Sequence, residues 1–468
     1  MRKLSTGKIR SLFPEKAFWA NVLRFSIPVA IQNMSSAVLG IIDVSVISNM
    51  GETAVAAVSL ANQLFYVVSL ITFGITSGAS VYMARSYGEQ NPESMRRNFS
   101  LTVLFSLLVN FIIMLLCLFW PRQALGIFTE EHQTIVDGAV YLLIITPTFL
   151  LYSISNSCVA FFRSVNRTKI PMVATIVSLG LKTLLNFVLI YGFWVIPGMG
   201  IAGAALATLI SKIVEMLIYL VYMAKYQEKE YIFRIRDIRF FCPRAVGDFV
   251  GKTYPVILNE SLWGIGISAF NAIFGRMGDV DSTVSAVSIA RQLENLGNGF
   301  FYGIAIGACV AISQTIGQKK LDEAKELSKK YSLAGFYVGI GVMLLMLAVD
   351  IPYVRLCFTN LTPETQNLAI VLIAVYAMYM PVRSLASTLI MGVMRAGGDS
   401  KLAMLYDVVP VYLWSLLLGW VLGIELQWPV GIVLAIMMFK RFIKCAFALR
   451  RVATGKWLSI AAKEMQTQ

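Results

Sequence analysis

Apolar stretches of bilayer-crossing length alternate with short polar links along the whole chain. Twelve can be drawn, at about residues 22–49, 54–82, 98–120, 135–161, 170–192, 200–224, 253–275, 284–314, 331–351, 366–393, 402–423 and 427–448. Roughly 20 apolar residues in a helix cross the hydrocarbon core. The pattern predicts an all-α polytopic membrane protein with 12 transmembrane helices. The longest polar link, 225–252, parts the stretches into two sets of six.

The two sets repeat each other. AVSLANQL at 57–64 matches AVSIARQL at 286–293, and IPVAIQN at 27–33 resembles YPVILNE at 254–260. SYGEQNPESMRRNFSL at 86–101 resembles TIGQKKLDEAKELSKK at 315–330, and the heptapeptides from Arg163 and Arg395 also correspond. The offsets stay between 227 and 232, in order. Six is even, so both halves begin on the same side of the membrane. The repeat should therefore be parallel, with its pseudo-twofold axis along the membrane normal and a cleft between two bundles. The expected organisation is a cytoplasmic tail at 1–21, an N-lobe at 22–224 with helices 1–6, a linker at 225–252, a C-lobe at 253–448 with helices 7–12, and a tail at 449–468.

Composition agrees. Charged residues make up 14% and hydrophobic ones 57%, with a net charge of +14; soluble domains carry about 25% charged residues. The basic residues are sorted. Of 40 Lys and Arg, the reading places only Arg122, Arg276 and Arg355 outside, and Lys182, Lys212, Arg291 and Arg383 within spans. The rest fall on the tails, the even-to-odd links and the cytoplasmic ends of the first and last stretches, which the positive-inside rule assigns to the cytoplasm. Topology and anionic lipid thus account for the charge, without nucleic acid. A bacterial plasma membrane, both termini cytoplasmic and no cleaved signal peptide are expected. The six Cys are scattered singly, and the one His, His132, is in a polar link. That offers neither a metal site nor a disulfide framework. No phosphate-binding GxxxxGK, GxSxG or HExxH is present, so neither direct ATP coupling nor a membrane enzyme is expected.

Ionisable residues inside the spans are costly, about 2.5–3.5 kcal/mol each on insertion scales, and mark polar cavities or partners. Asp43 ends a stripe with Gln32, Ser36 and Gly40, one turn beyond Pro28. Glu260 begins a similar stripe with Gly264, Ser268 and Asn271. Arg291 and Glu294 are three apart and able to pair along one helix face.

SIPVAIQ…IIDVSVISNMG, FFRSVNRTKIP, LNFVLIYG…GMGIAGAALATLIS and YPVILNE together resemble the multidrug and toxic compound extrusion (MATE) family over about residues 15–450. The resemblance implies a V of two six-helix lobes that expels drugs, often organic cations or amphipaths, in exchange for protons or sodium, without a cofactor. It assigns the N-lobe cation site to Asp43, Asn186 and Thr208. Lys182 stands where the family usually has Asn, one turn before Asn186. It either pairs with Asp43 in one state or is permanently structural. Glu260 matches the C-lobe acid of one branch of the family, whose helix-ten Asp has no equivalent beside Arg383. A proton carried by Asp43 or Glu260 is favoured over sodium at either residue, because a nearby cation opposes sodium more. Substrate-cleft candidates are Gln32, Trp263, Arg291, Glu294, Tyr376 and Arg383, with Phe65, Tyr66, Tyr302, Tyr379 and Met380 as further aromatic or flexible contacts. A monomer is expected. The rival reading is a flippase for a lipid-linked saccharide or other amphipathic lipid, which Lys182, Arg291 and Arg383 would suit.

Overall fold

The computed structural model describes residues 16–48, 50, 52–129, 131–193, 196–226, 229–231, 243–278, 280–359 and 361–466. The chain is helical almost throughout. The first repeat contains α1 (Lys16–Ser48), α2 (Glu52–Gly88), α3 (Pro92–Phe119), a short α4 (Pro121–Gly126), α5 (His132–Ile145), α6 (Thr148–Ser164), α7 (Lys169–Tyr191) and α8 (Gly200–Lys225). A two-residue antiparallel ladder pairs Gly192 with Pro197 and Phe193 with Ile196 between α7 and α8. The second repeat contains α9 (Pro243–Phe274), α10 (Val280–Gly317), α11 (Leu321–Cys357), α12 (Pro363–Met378), α13 (Met380–Ser387), α14 (Ser400–Pro410), α15 (Leu417–Trp420), α16 (Val430–Met438) and α17 (Lys440–Ala453). The chain continues into α18 (Ser459–Gln466).

The twelve apolar stretches all fall on helices of a multi-pass membrane protein. Eight are helices long and apolar enough to cross by themselves, one of them formed by α14 and α15 with the π-helical stretches Val411–Leu416 and Val421–Glu425, and two more are bent pairs, α5 with α6 at 49° and α12 with α13 at 45°. The first stretch lies in α1. The last is divided between α16 and α17, where Lys440, Arg441 and Lys444 interrupt the apolar run. Large apolar side chains face outward, as lipid allows: Leu184 is 62% exposed and Leu413 68%. Polar side chains turn inward and satisfy themselves on the helix. Thr72, Ser153 and Ser157 each donate to the carbonyl four residues back, since lipid offers no alternative partner.

The duplication reaches the backbone. After α2, Glu89, Gln90 and Asn91 donate to the carbonyls of Arg85, Tyr87 and Ser86; after α10, Gln318, Lys319 and Lys320 donate to those of Gln314, Ile316 and Thr315. Gln90 at φ 54° and Lys319 at φ 63° hold the left-handed position of each turn, the usual helix-ending geometry. The loops after α6 and before α14 match too, with Asn166 at φ 60° and Gly398 at φ 84°.

The chain forms two compact units. The N-unit is Ile31–Ser261; the C-unit is the chain up to Ala30 together with Leu262 onward. The two units divide within α1 and α9, soon after Pro28 and Pro255. The reason lies in glycine contacts. In the N-unit, a Cβ on Gly74 of α2 would come 2.7 Å from the Ile257 backbone and one on Gly78 3.3 Å from Thr253. In the C-unit, a Cβ on Gly303 of α10 would come 2.7 Å from the Ser26 carbonyl and one on Gly307 3.0 Å from the Phe25 ring. Small residues four apart let helices approach closely. Each unit thus takes the first half of the other repeat's opening helix.

Candidate functional site

The C-unit holds a cavity of about 140 Å³ lined by residues of α9, α10, α12, α13, α14 and α17. α17 is amphipathic in the opposite sense to a soluble helix. Arg441, Lys444, Cys445 and Ala448 are buried, whereas Phe442, Phe447 and Leu449 are 43–49% exposed. Ionisable groups in a membrane turn to the protein interior. The break at Phe439, between α16 and α17, starts this inward row.

Glu294 of α10 is 6% exposed and accepts from Arg441 Nη2 at 2.5 Å and from Arg383 of α13. Charge-assisted bonds of this kind offset part of the cost of burying the carboxylate. The pairing expected between Arg291 and Glu294 along α10 is not the one formed. Arg291 donates to Asn271 of α9, and arginines from two other helices take Glu294. A buried carboxylate gains more from those bonds than from a surface contact along one helix, worth roughly 0.2–0.5 kcal/mol. Lys444 pairs with Asp407 of α14 at 2.6 Å. The Lys440 ammonium stands 3.9 Å over the Phe270 ring. Arg383 and Arg441 also lie over Phe301 and Tyr376, at 5.2 and 5.9 Å from the ring centroids. Trp263, Tyr302 and Tyr376 join the lining, as do Ile390 and Met391 from a π-helical turn, Thr388–Met394. Such turns widen a helix and are frequent at functional sites.

The N-unit encloses a second cavity, of about 680 Å³, lined among others by Ser36, Asn62, Phe65, Tyr66, Lys182, Asn186, Thr208 and Lys212. Asn186 is 1% exposed. Thr208 donates to the Ala204 carbonyl at 3.0 Å, and Lys212 pairs with Glu215 at 2.7 Å. The cavity joins three of the residues assigned to ion coupling, Lys182, Asn186 and Thr208. Asp43 lies on α1, but its side chain falls outside the described residues.

Other candidates sit elsewhere. Gln32 lines neither cavity: its amide accepts from Arg163 at 2.7 Å and donates to Thr175 at 2.9 Å, clasping α1 to α6 and α7. Glu260 is 8% exposed in the N-unit, with Asn259 donating to it at 3.4 Å, and also lines neither cavity. Tyr379 donates to the Ala435 carbonyl and Met380 is packed in the core. Sequence reasoning missed Lys440, Arg441, Lys444 and Asp407. The first three read as basic residues closing the last span; their position inside that apolar stretch was the available signal.

The MatE family model matches residues 28–188 and 255–421, the two repeats in turn. The chain belongs to the MatE family. Among curated relatives, it is 22% identical to the probable multidrug resistance protein NorM of Thermotoga maritima, over 93% of this chain and 92% of that protein. It is 23% identical to the probable multidrug resistance protein YoeA of Bacillus subtilis, over 71% of each. Solved MATE structures share the fold. A MATE transporter in complex with MaL6 superposes with a TM-score of 0.82 at 17% identity, covering 97% of this chain and all of that one. A MOP superfamily transporter from Pyrococcus furiosus, described as having a binding pocket of reverse polarity, gives 0.82 at 16% identity over 98% and 99%. The MatE fold therefore accounts for all twelve spans, and transport is the activity of this family.

Proposed function

We propose that this MatE protein is a secondary active exporter of amphipathic organic compounds, working by alternating access and driven by inward movement of protons or sodium. The observation that carries the reading is the N-unit cavity. It gathers Ser36, Lys182, Asn186 and Thr208 inside helices whose outer faces are apolar. Polar groups at that depth are retained for ion or substrate passage. The names of the relatives, two probable multidrug resistance proteins, support drug-like cargo. Lys182 on this cavity favours protons over sodium, because an ammonium repels a resident sodium ion but lowers a carboxyl's proton affinity only by degree. Asp43 and Glu260 are the proposed proton carriers. One elementary charge moving inward contributes roughly 2.3 kcal/mol per 100 mV, and about 1.4 kcal/mol supports each tenfold concentration gradient.

The test is flux in proteoliposomes under an imposed proton or sodium gradient, comparing wild type with Asp43→Asn and Glu260→Gln. Proton-driven flux abolished by one substitution identifies the carrier. Flux driven by sodium alone overturns the proton assignment. The flippase alternative keeps one specific observation in its favour, the excess of cations over carboxylates around the C-unit cavity. Translocation of a lipid phosphate without any drug flux would establish it.

A further inference from the structure

We infer that the C-unit cavity is an oxyanion site, and that the cargo of this transporter carries a carboxylate, phosphate or sulfonate head. The inference rests on the export reading above and narrows its substrate class. Five cationic side chains and two carboxylates line the cavity. The carboxylates are committed: Glu294 to Arg383 and Arg441, and Asp407 to Lys444. One Glu294 faces two guanidinium groups, so it neutralises only one of them. Lys440 meets an aromatic face and Arg291 an amide; among the described residues neither forms an ion pair within 4 Å, although Glu294 is near both. Cationic side chains therefore outnumber carboxylates by three around this cavity.

A second, independent observation supplies an unused donor among the lining residues. Arg441 is 6% exposed, and its Nη1 is buried with no hydrogen-bond partner. A buried donor of a charged group left unmade is costly, and a planar guanidinium matches an oxyanion with two parallel donors. Nη2 already serves Glu294, so Nη1 is the donor in reserve. The cavity volume, about 140 Å³, is below the roughly 300–1,000 Å³ of a drug-sized pocket. It suits a head group, with Trp263, Tyr302 and Tyr376 along the wall for the adjoining ring or chain. Organic cations would meet net repulsion there.

The experiment uses the full chain. Purified protein in detergent is titrated with fluorescein, an aromatic carboxylate, and separately with ethidium, an aromatic cation, following fluorescence anisotropy. Lys440→Gln is the primary variant, because it breaks no ion pair; Arg441→Lys and Arg291→Gln follow, each checked for an unchanged unfolding temperature. Fluorescein is expected to bind wild type and to weaken at least tenfold in Lys440→Gln, with ethidium unaffected or tighter. No fluorescein binding to wild type, equal binding to Lys440→Gln, or equal weakening of both dyes overturns the proposal. Two transport arms separate the sources of the head group. Proteoliposomes report export of fluorescein, or flipping of a fluorescent phosphatidic acid, and Lys440→Gln is expected to slow whichever one moves. Charge-selective binding without any flux would overturn the export reading and leave the anion site standing. Flux of ethidium alone overturns the anion assignment and leaves export standing.

Discussion

Glu294 shows how one residue decides what its neighbours are worth. It is the only carboxylate within reach of both Arg383 and Arg441 among the described contacts. Removing one partner of a buried ionic cluster leaves uncompensated charge and typically costs about 3–5 kcal/mol. Glu294→Gln is therefore expected to lower the unfolding temperature sharply in detergent. Adding Arg441→Met should recover part of that loss, because the double change removes one of the orphaned charges. A double mutant whose destabilisation equals the sum of the two single ones would show that the residues do not interact. This cluster was only half legible in the sequence. Glu294, Arg291 and Arg383 stand out because each interrupts an apolar run. Arg441 and Lys440 sit twenty or more residues from any helix-ten or helix-eight signal, near a terminus that already looked cytoplasmic. No local pattern says that the helix breaks at Phe439 and turns the charged row inward. Gln32 erred in the other direction. Its place on the polar stripe of α1 was readable, but its commitment to Arg163 and Thr175 depends on helices more than a hundred residues away.

At the scale of elements, glycine spacing governs which helices touch. The α7–α8 hairpin turns closely enough that a Cβ at Gly203 would lie 2.3 Å from the Leu189 carbonyl. That carbonyl is backbone and has no rotamer to yield. Gly203→Ala is expected to destabilise by about 1–3 kcal/mol, the usual cost of overpacking, measurable as a lower unfolding temperature. The paired contacts at Gly74 and Gly303 make a sharper test, because the repeat places them at equivalent positions. Gly74→Val should clash with Ile257, and Gly303→Val with Ser26, with similar losses of stability and of flux. A variant at one of the two positions that behaves as wild type would show that the two units do not depend equally on the borrowed half-helix. The repeat itself was plain in the sequence, down to the turns at Gln90 and Lys319. The exchange of half-helices was not. Both glycine pairs are visible as GITSG and GIAIG, yet their partners are set by packing, which periodicity does not encode.

For the molecule as a whole, the sorting of basic residues makes the membrane orientation a testable prediction. The positive-inside rule predicts one orientation from the basic residues. With the tails and the 225–252 link inside, the link between α11 and α12 must lie outside. Cys357 ends α11 there and is exposed, whereas Cys117, Cys158, Cys309 and Cys445 are buried. Cys242 falls in the 225–252 link, outside the described residues, and the same orientation puts it on the cytoplasmic face. A membrane-impermeant maleimide added to intact spheroplasts should therefore label Cys357, and Cys357→Ser should remove the signal. Cys242 should react only after the membrane is opened, and Cys242→Ser should abolish that second signal. The reverse pattern would invert the topology, while the direction of transport would still be set by the ion and cargo gradients. The membrane potential bears on the basic cavity. Its surplus positive charge would draw organic anions, and an inside-negative potential assists their exit. The potential then favours both legs of the cycle, coupling cation inward and anionic cargo outward. Export of an organic cation would have to work against that potential.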